Sequence, residues 1–325
     1  RLVQSEAAGP QTGGISPRIR DTAKTLLLIY CSITAAQISA LWLAGMPLFD
    51  AVTHSFSTIA TGGFSIKNGS VGEYNNLAIE LAILVGMILA GTNFALFHRF
   101  RSEGFKVFTS NPEFRVYILL VAGATLLITS DMLFSATHGF GDALRYSSFQ
   151  VVAIMTGTGF GTADYEEWST LSRSLLLILY FCGGMAGSTT GSMKLIRIMI
   201  IVKVVVHEIR IGIRPTLVAP IRIGKTPIDE SIVRGTLAYA LIFMGTVMAG
   251  ALAVASLDSV DLTTAIMASL ACVANVGPGM GAVGPTENYA FFSDASKVIL
   301  SFCMLLGRLE FFSLLSLFVP GFWRR

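Results

Sequence analysis

DALRYSSFQVVAIMTGTGFG, residues 142–161, decides how this chain is read. Its first part, 142–155, is apolar enough to enter a bilayer but too short to cross one, since a spanning helix needs about 20 residues. It runs into GTGFG at 157–161, and a long apolar run follows from 171 to about 209. A helix that stops at mid-membrane leaves its last carbonyls unpaired. Lipid cannot satisfy them, so irregular backbone at that depth must line a watery cavity. The carbonyl end of such a helix carries partial negative charge, which suits a cation. Glycine then lets following carbonyls turn inward without a blocking side chain, and rings of carbonyls can replace the hydration shell of an alkali cation.

The same order stands on either side. Upstream, a spanning run at about 26–46 precedes FDAVTHSFSTIA (49–60), TGGFS (61–65) and a second run at about 77–97. The central stretch has its own leading span at 114–136. Downstream, a span at about 232–257 precedes DLTTAIMASLACVA (261–274), NVGPG (275–279) and a last run at about 289–318. Three units of roughly 100 residues are an internal repeat. Asp50, Asp142 and Asp261 open the three short stretches, where a carboxylate suits a helix cap and dipole. The expected fold is an all-α polytopic membrane protein of repeated helix–short helix–glycine loop–helix units.

Composition agrees. Of 325 residues, 53% are apolar and 13% are charged, and the mean hydropathy is +0.68. Soluble domains carry about 25% charged residues, so disordered, fibrous and ordinary cytosolic chains are excluded. Cys31, Cys182, Cys272 and Cys303 lie far apart in apolar segments, which argues for inert thiols rather than a disulfide framework or zinc site. The first residue is Arg1 and no signal peptide follows it, so the sequence is expected to begin inside a longer chain.

With the glycine loops placed outside, only Lys67, Arg145, Arg173 and Lys297 of the 23 basic residues fall on their side. The acidic residues gather there, among them Glu73, Asp164, Glu166 and Glu287, while Arg99, Arg101, Lys106, Arg115, Lys203 and Arg210 occupy the opposite loops. That is the positive-inside pattern.

TGGFS, GTGFG and NVGPG resemble the T-V-G-Y-G filter of potassium channels. With STIATGGFS (57–65), MTGTGFGTADYEEW (155–168), GGMAGSTTGSMKLIR (183–197), ANVGPGMG (274–281) and GRLEFFSLL (307–315), the whole chain resembles the Trk/Ktr/HKT superfamily of potassium transporters, most closely the bacterial TrkH type. That family surrounds one pore with four membrane–pore–membrane units in pseudo-fourfold array. The resemblance implies that this sequence holds the second to fourth, with the first upstream of Arg1. The implied organisation is a cytoplasmic linker at 1–20 and units at 21–108, 109–225 and 226–325. The implied potassium filter comprises Thr61, Gly62, Gly63, Gly157, Thr158, Gly159, Asn275, Val276 and Gly277, with potassium as the transported ion and no cofactor.

The unit at 109–225, the family's third, has its second span interrupted by Gly183, Gly184, Gly187, Ser188, Thr189, Thr190, Gly191 and Ser192. Glycines and small hydroxyls break a helix and supply hydrogen bonds to freed backbone. By itself the interruption reads as a kink or close packing; the resemblance implies an intramembrane loop that gates permeation. Arg308 is expected in the middle of the last span, where a charge is costly. It reads either as half of a structural ion pair or, by resemblance, as an electrostatic barrier in the pore. Glu310, two residues on, points to another helix face.

Other features carry less. Gly279–Gly284 spells G-x-G-x-x-G without a βαβ context, and Asn68-Gly69-Ser70 is an incidental sequon. The four histidines have no metal spacing. No P-loop, H-E-x-x-H, G-x-S-x-G or paired intramembrane aspartates occur, so an enzyme is not expected; a sensor that binds cations without passing them is disfavoured by the intact glycines. The resemblance implies a homodimer in lipid in the bacterial plasma (inner) membrane, glycine loops outward, with a cytosolic nucleotide-binding regulatory subunit of the TrkA type and no nucleic acid. Channel-like conduction, symport with sodium or protons, and a non-selective alkali cation permease all remain open from the sequence.

Overall fold

The computed structural model describes residues 19–318, except 137, 215–219 and 225, together with 323; most of the 1–20 linker therefore lies outside the described residues. It is mostly helical. Long α1 (Ile19–Leu43) leads to short α2 (Leu48–Ile59), a loop, and α3 (Leu77–Ala90) with α4 (Phe94–Glu103). After α5 (Lys106–Ser110) come long α6 (Pro112–Phe134), short α7 (Phe140–Met155), a loop, α8 (Thr170–Tyr180) and α9 (Leu195–Ile213). A two-stranded hairpin, β1 (Arg222–Ile223) with β2 (Thr226–Pro227), precedes long α10 (Glu230–Leu257), short α11 (Leu262–Val273), a loop, α12 (Asp294–Arg308) and α13 (Phe312–Leu315).

Among the described residues, three helices are long and apolar enough to cross a membrane, at Arg20–Leu43, Pro112–Phe134 and Glu230–Leu257. Two runs read as continuous spans are bent instead. The α3–α4 pair turns by 91° and the pair ending the last unit turns by 106°. The first bend is at Gly91–Asn93, where the Asn93 side chain accepts from the Ala95 amide at 2.8 Å and starts a new helix. The second follows Arg308, with Glu310 and Phe311 both at positive φ. Arg308 is therefore the end of a helix, not the middle of a span.

Burial is the reverse of hydropathy length. The long helices expose large apolar side chains such as Leu27, Leu119, Leu126, Leu241 and Leu252, as a lipid-facing surface requires. The short helices form the interior: α7 buries Phe149–Met155 and α11 buries Met267–Val273. A short helical stretch buried on every side, as these C-terminal halves are, is a core element. The three leading Asp residues differ in role. Asp261 is a true N-cap, its side chain accepting from the Thr264 amide; Asp50 and Asp142 lie in the first turn, behind Pro47 and Gly139.

Each long helix is tied to the start of the helix beyond its glycine loop. The Asn76 amide donates to the Ala44 carbonyl at 3.2 Å. Ser169 and Ser172 donate to Asp131, and the Ser293 amide and hydroxyl donate to Asp258, both at 3.1 Å. Asn76, Ser169 and Ser293 are also the N-caps of α3, α8 and α12, so one side chain in each place starts a helix and closes a loop.

Close packing of α10 on α11 depends on Gly250. A Cβ there would collide with the Ser269 hydroxyl and lie 3.1 Å from Cys303 Sγ, while Gly245 on the same helix faces open space. Gly250→Val should therefore lower the thermal midpoint of the detergent-solubilised protein, overpacking costing about 1–3 kcal/mol, and Gly245→Val should leave it near wild type. Equal effects would refute the close approach.

Candidate functional site

The three glycine loops share one backbone path. Each short helix ends in a residue with αR geometry, Ala60, Thr156 or Ala274. The next residue, Thr61, Gly157 or Asn275, is at positive φ, and so is the residue two further on, Gly63, Gly159 or Gly277. Between them, Gly62, Thr158 and Val276 return their amides to the carbonyls of Ser57, Ala153 and Ala271 at 2.7, 2.9 and 2.9 Å. Three different sequences thus follow the same alternation of φ. Thr61 and Asn275 hold left-handed geometry without being glycine, a conformation that costs an L-residue about 1–2 kcal/mol.

The loops interlock in order. A Cβ on Gly63 would overlap the Thr158 carbonyl, and one on Gly159 would overlap the Val276 carbonyl; Gly277 has nothing within 4 Å. Above them, the Gly72 amide donates to the Gly161 carbonyl at 3.0 Å, and Glu166 accepts from the Gly281 amide at 3.1 Å. Arg145 pairs with the buried Glu80 at 2.6 Å and ties α7 to α3. At the N-terminal end of α11, the Thr264 hydroxyl holds the Asp261 carboxyl below the usual carboxylate range.

The interrupted segment between α8 and α9 lies against the carbonyl ends of two short helices. The Thr189 hydroxyl donates to the carbonyls of Ile59 and Ala90 at 2.9 and 3.2 Å, and a Cβ on Gly191 would lie 2.8 Å from the Ala274 carbonyl. The segment also satisfies the break after α3. The Met185 amide donates to the Gly91 carbonyl at 2.9 Å, and the Phe94 amide donates to the Gly187 carbonyl at 3.0 Å. Its ends close on themselves: the Gly183 amide reaches the Met193 carbonyl at 2.8 Å, the Leu195 amide the Gly184 carbonyl at 3.0 Å, and the Ser192 hydroxyl the Tyr180 carbonyl at 2.7 Å. The Ala186 amide donates to Glu113 at 2.8 Å. Buried Lys194 donates its ammonium to the carbonyls of Ser188 and Thr190.

Residues from all three sequence-derived groups meet at one atom. The Thr189 carbonyl accepts from the Thr61 hydroxyl and from Arg308, each at 3.0 Å. Arg308 itself is exposed and makes no ion pair among the described residues. Glu310 pairs instead with Arg197 on α9, whose guanidinium lies 3.9 Å from the centre of the Tyr239 ring. Sequence reasoning missed this cluster, and it missed Lys194. The intramembrane position of Glu310 was the available signal, but its partner is 113 residues away.

Residues 1–324 match the family described as TrkH, cation transport protein. The chain is 38% identical over 334 residues to the Trk system potassium uptake protein TrkH of Salmonella typhimurium, covering 100% of this chain and 67% of that protein. It is 37% identical over 334 residues to the protein of the same name in Escherichia coli, with the same coverage. The crystal structure of the potassium transporter TrkH from Vibrio parahaemolyticus superimposes with a TM-score of 0.90 at 35% identity, covering 99% of this chain and 69% of that one.

The interlock separates the loop glycines experimentally. Gly157 and Gly159 share a positive φ, but a Cβ on Gly159 would overlap the Val276 carbonyl, whereas one on Gly157 would lie 3.3 Å from the Asn275 carbonyl. Gly159→Ala should therefore depress the thermal midpoint of the purified protein by more than Gly157→Ala, which bears mainly the conformational cost. A Gly157→Ala protein as damaged as Gly159→Ala would contradict the packing order.

Proposed function

The chain belongs to the TrkH family of cation transport proteins, transporters rather than enzymes, and on that premise we propose that it conducts potassium uptake across the membrane through a filter of backbone carbonyls. The supporting observation is the shared backbone path of Thr61–Gly63, Gly157–Gly159 and Asn275–Gly277, each at the carbonyl end of a short buried helix. Carbonyls presented there face a partial negative charge from the helix end and can coordinate a dehydrated cation.

In this reading the three helix–short helix–loop–helix stretches, 21–108, 109–225 and 226–325, are pore units around a pseudo-fourfold axis. A loop against the Gly277 edge, contributed by residues outside this sequence, is part of the proposal. Residues 183–192 form the gate beneath the filter, and Arg308 is the barrier. Both roles draw support from the Thr189 carbonyl, which Thr61 and Arg308 hold from opposite ends of the sequence. The bacterial inner membrane, outward-facing loops, a homodimer and a nucleotide-binding TrkA-type regulator that docks on the basic end of α9 complete it.

Rubidium uptake by the full-length protein in liposomes, competed with sodium, tests the function. Strong uptake with weak sodium competition is the expected result; no cation flux from folded protein would overturn it. Arg308→Ala should raise uptake several-fold while the protein stays folded, because it removes a positive charge and one hydrogen bond to the loop. A destabilised Arg308→Ala protein without added flux would assign Arg308 to structure alone. Deleting 185–190 should likewise raise uptake and weaken control by the cytosolic partner.

A further inference from the structure

The loop 275–279 is held differently from the other two. Three consecutive carbonyls each accept a tyrosine hydroxyl: Gly277 from Tyr289, Pro278 from Tyr180 and Gly279 from Tyr165, all at 2.7 Å. The hydroxyls of Tyr165 and Tyr180 lie 3.1 Å apart, and both rings are fully buried. These side chains come from separate parts of the fold. Tyr165 follows the glycine loop of 157–161, Tyr180 is the last residue of α8, and Tyr289 lies beyond the loop it holds. Among the described residues, no side chain donates to the carbonyls of Gly63 or Gly159.

Gly63 and Gly159 each abut the next loop's carbonyl, and the open edge of Gly277 is where the proposed function places a further loop, so the difference between the three loops lies in the hydroxyls alone. Pro278 removes an amide donor that a loop residue would otherwise contribute. The proline ring limits a full flip of the Gly277–Pro278 peptide, so what the side chains can set is the tilt of carbonyls already turned outward by a glycine at φ +98°. Here the holding groups are hydroxyls. Each occupies one of the two lone pairs on its carbonyl and fixes the direction of the other.

We propose that Tyr289, Tyr180 and Tyr165 form a hydroxyl clamp that sets carbonyl direction in the loop 275–279 and thereby the discrimination between potassium and smaller alkali cations. They are positioning residues: they act on the ion through the carbonyls they hold. The proposal rests on the reading of 275–277 as filter. Discrimination depends on the number and orientation of coordinating carbonyls, so loosening one strand favours smaller ions that draw the carbonyls inward.

The test uses the full-length protein in liposomes, with rubidium uptake competed by sodium and by lithium. Tyr289→Phe and the double change Tyr165→Phe with Tyr180→Phe keep the rings and remove only the donors. Each should lower the preference for rubidium over sodium roughly three- to tenfold, the order set by losing one or two hydrogen bonds, with the thermal midpoint lowered by only about 2–4 °C. Gly277→Ser, measured in parallel, reports on the filter reading itself. If Gly277→Ser loses the preference and the folded Phe variants keep it, the clamp is refuted and the filter stands. If Gly277→Ser also keeps it, the filter reading falls and the clamp with it. A preference that falls only in step with thermal stability would make the tyrosines structural and overturn the proposal. Should Tyr289→Phe not be recovered folded, Tyr180→Phe alone puts the same question to the Pro278 carbonyl.

Discussion

A backbone carbonyl inside a membrane has no water to turn to unless the protein makes a cavity, and a freed carbonyl there must find a donor or face that cavity. This chain frees carbonyls repeatedly: at the ends of three short helices, at the bend after α3, and along the interrupted stretch between α8 and α9. Most of the ordering beyond the helices answers that demand. The segment 183–192 supplies donors to Ile59, Ala90 and Gly91 while its own carbonyls take Phe94, Leu195, Lys194, Thr61 and Arg308. It is both a break in one helix and the repair of another.

That exchange explains what the sequence disclosed. The short apolar stretches and glycine loops were legible because bilayer thickness fixes the length of a span, and 49–60, 142–155 and 261–274 fall below it. The interruption at 183–192 was legible from its density of glycine and hydroxyl. The bend at Gly91–Asn93 was not, since Gly91-Thr92-Asn93 within 77–97 makes only a small dent in hydropathy. The bend is stabilised by Met185 and Gly187, nearly a hundred residues away. A local pattern carries no record of a partner that distant. The same holds for Arg308: the sequence placed it in a continuous helix because GRLEFFSLL is apolar around it, whereas positive φ at Glu310 and Phe311 ends the helix.

The buried pair Arg197–Glu310 follows the same rule with charge in place of dipole. Glu310 lies at the turn after α12, and Arg197 is the third residue of α9, in its first turn. Taking two charges out of water is costly, and their attraction offsets that only with good geometry and further contacts. The Tyr239 face on Arg197 is one such contact. The pair therefore fixes where α9 begins relative to the end of α12, and α9 is the helix into which the segment 183–192 runs. Position at the start of α9 and position of Arg308 are set together.

The restraints on the segment 183–192 are mostly single hydrogen bonds, each worth about 0.5–1.5 kcal/mol net, rather than buried apolar area. Met185 is its one fully buried apolar side chain. Such bonds can be exchanged one or two at a time, each at a cost within the 1–3 kcal/mol that a partner's preference for one state typically supplies. The C-terminal halves of α7 and α11 cannot yield piecemeal, because the burial of 149–155 and 267–273 makes displacement cost many apolar contacts at once. The segment with separable restraints thus lies against the most buried part of the chain. One residue joins the two: Tyr180 takes the Ser192 hydroxyl on its carbonyl and gives its own hydroxyl to Pro278. Motion of 183–192 that pulled on Ser192 would be felt first at the last turn of α8, and through the buried Tyr180 ring at the carbonyl of Pro278.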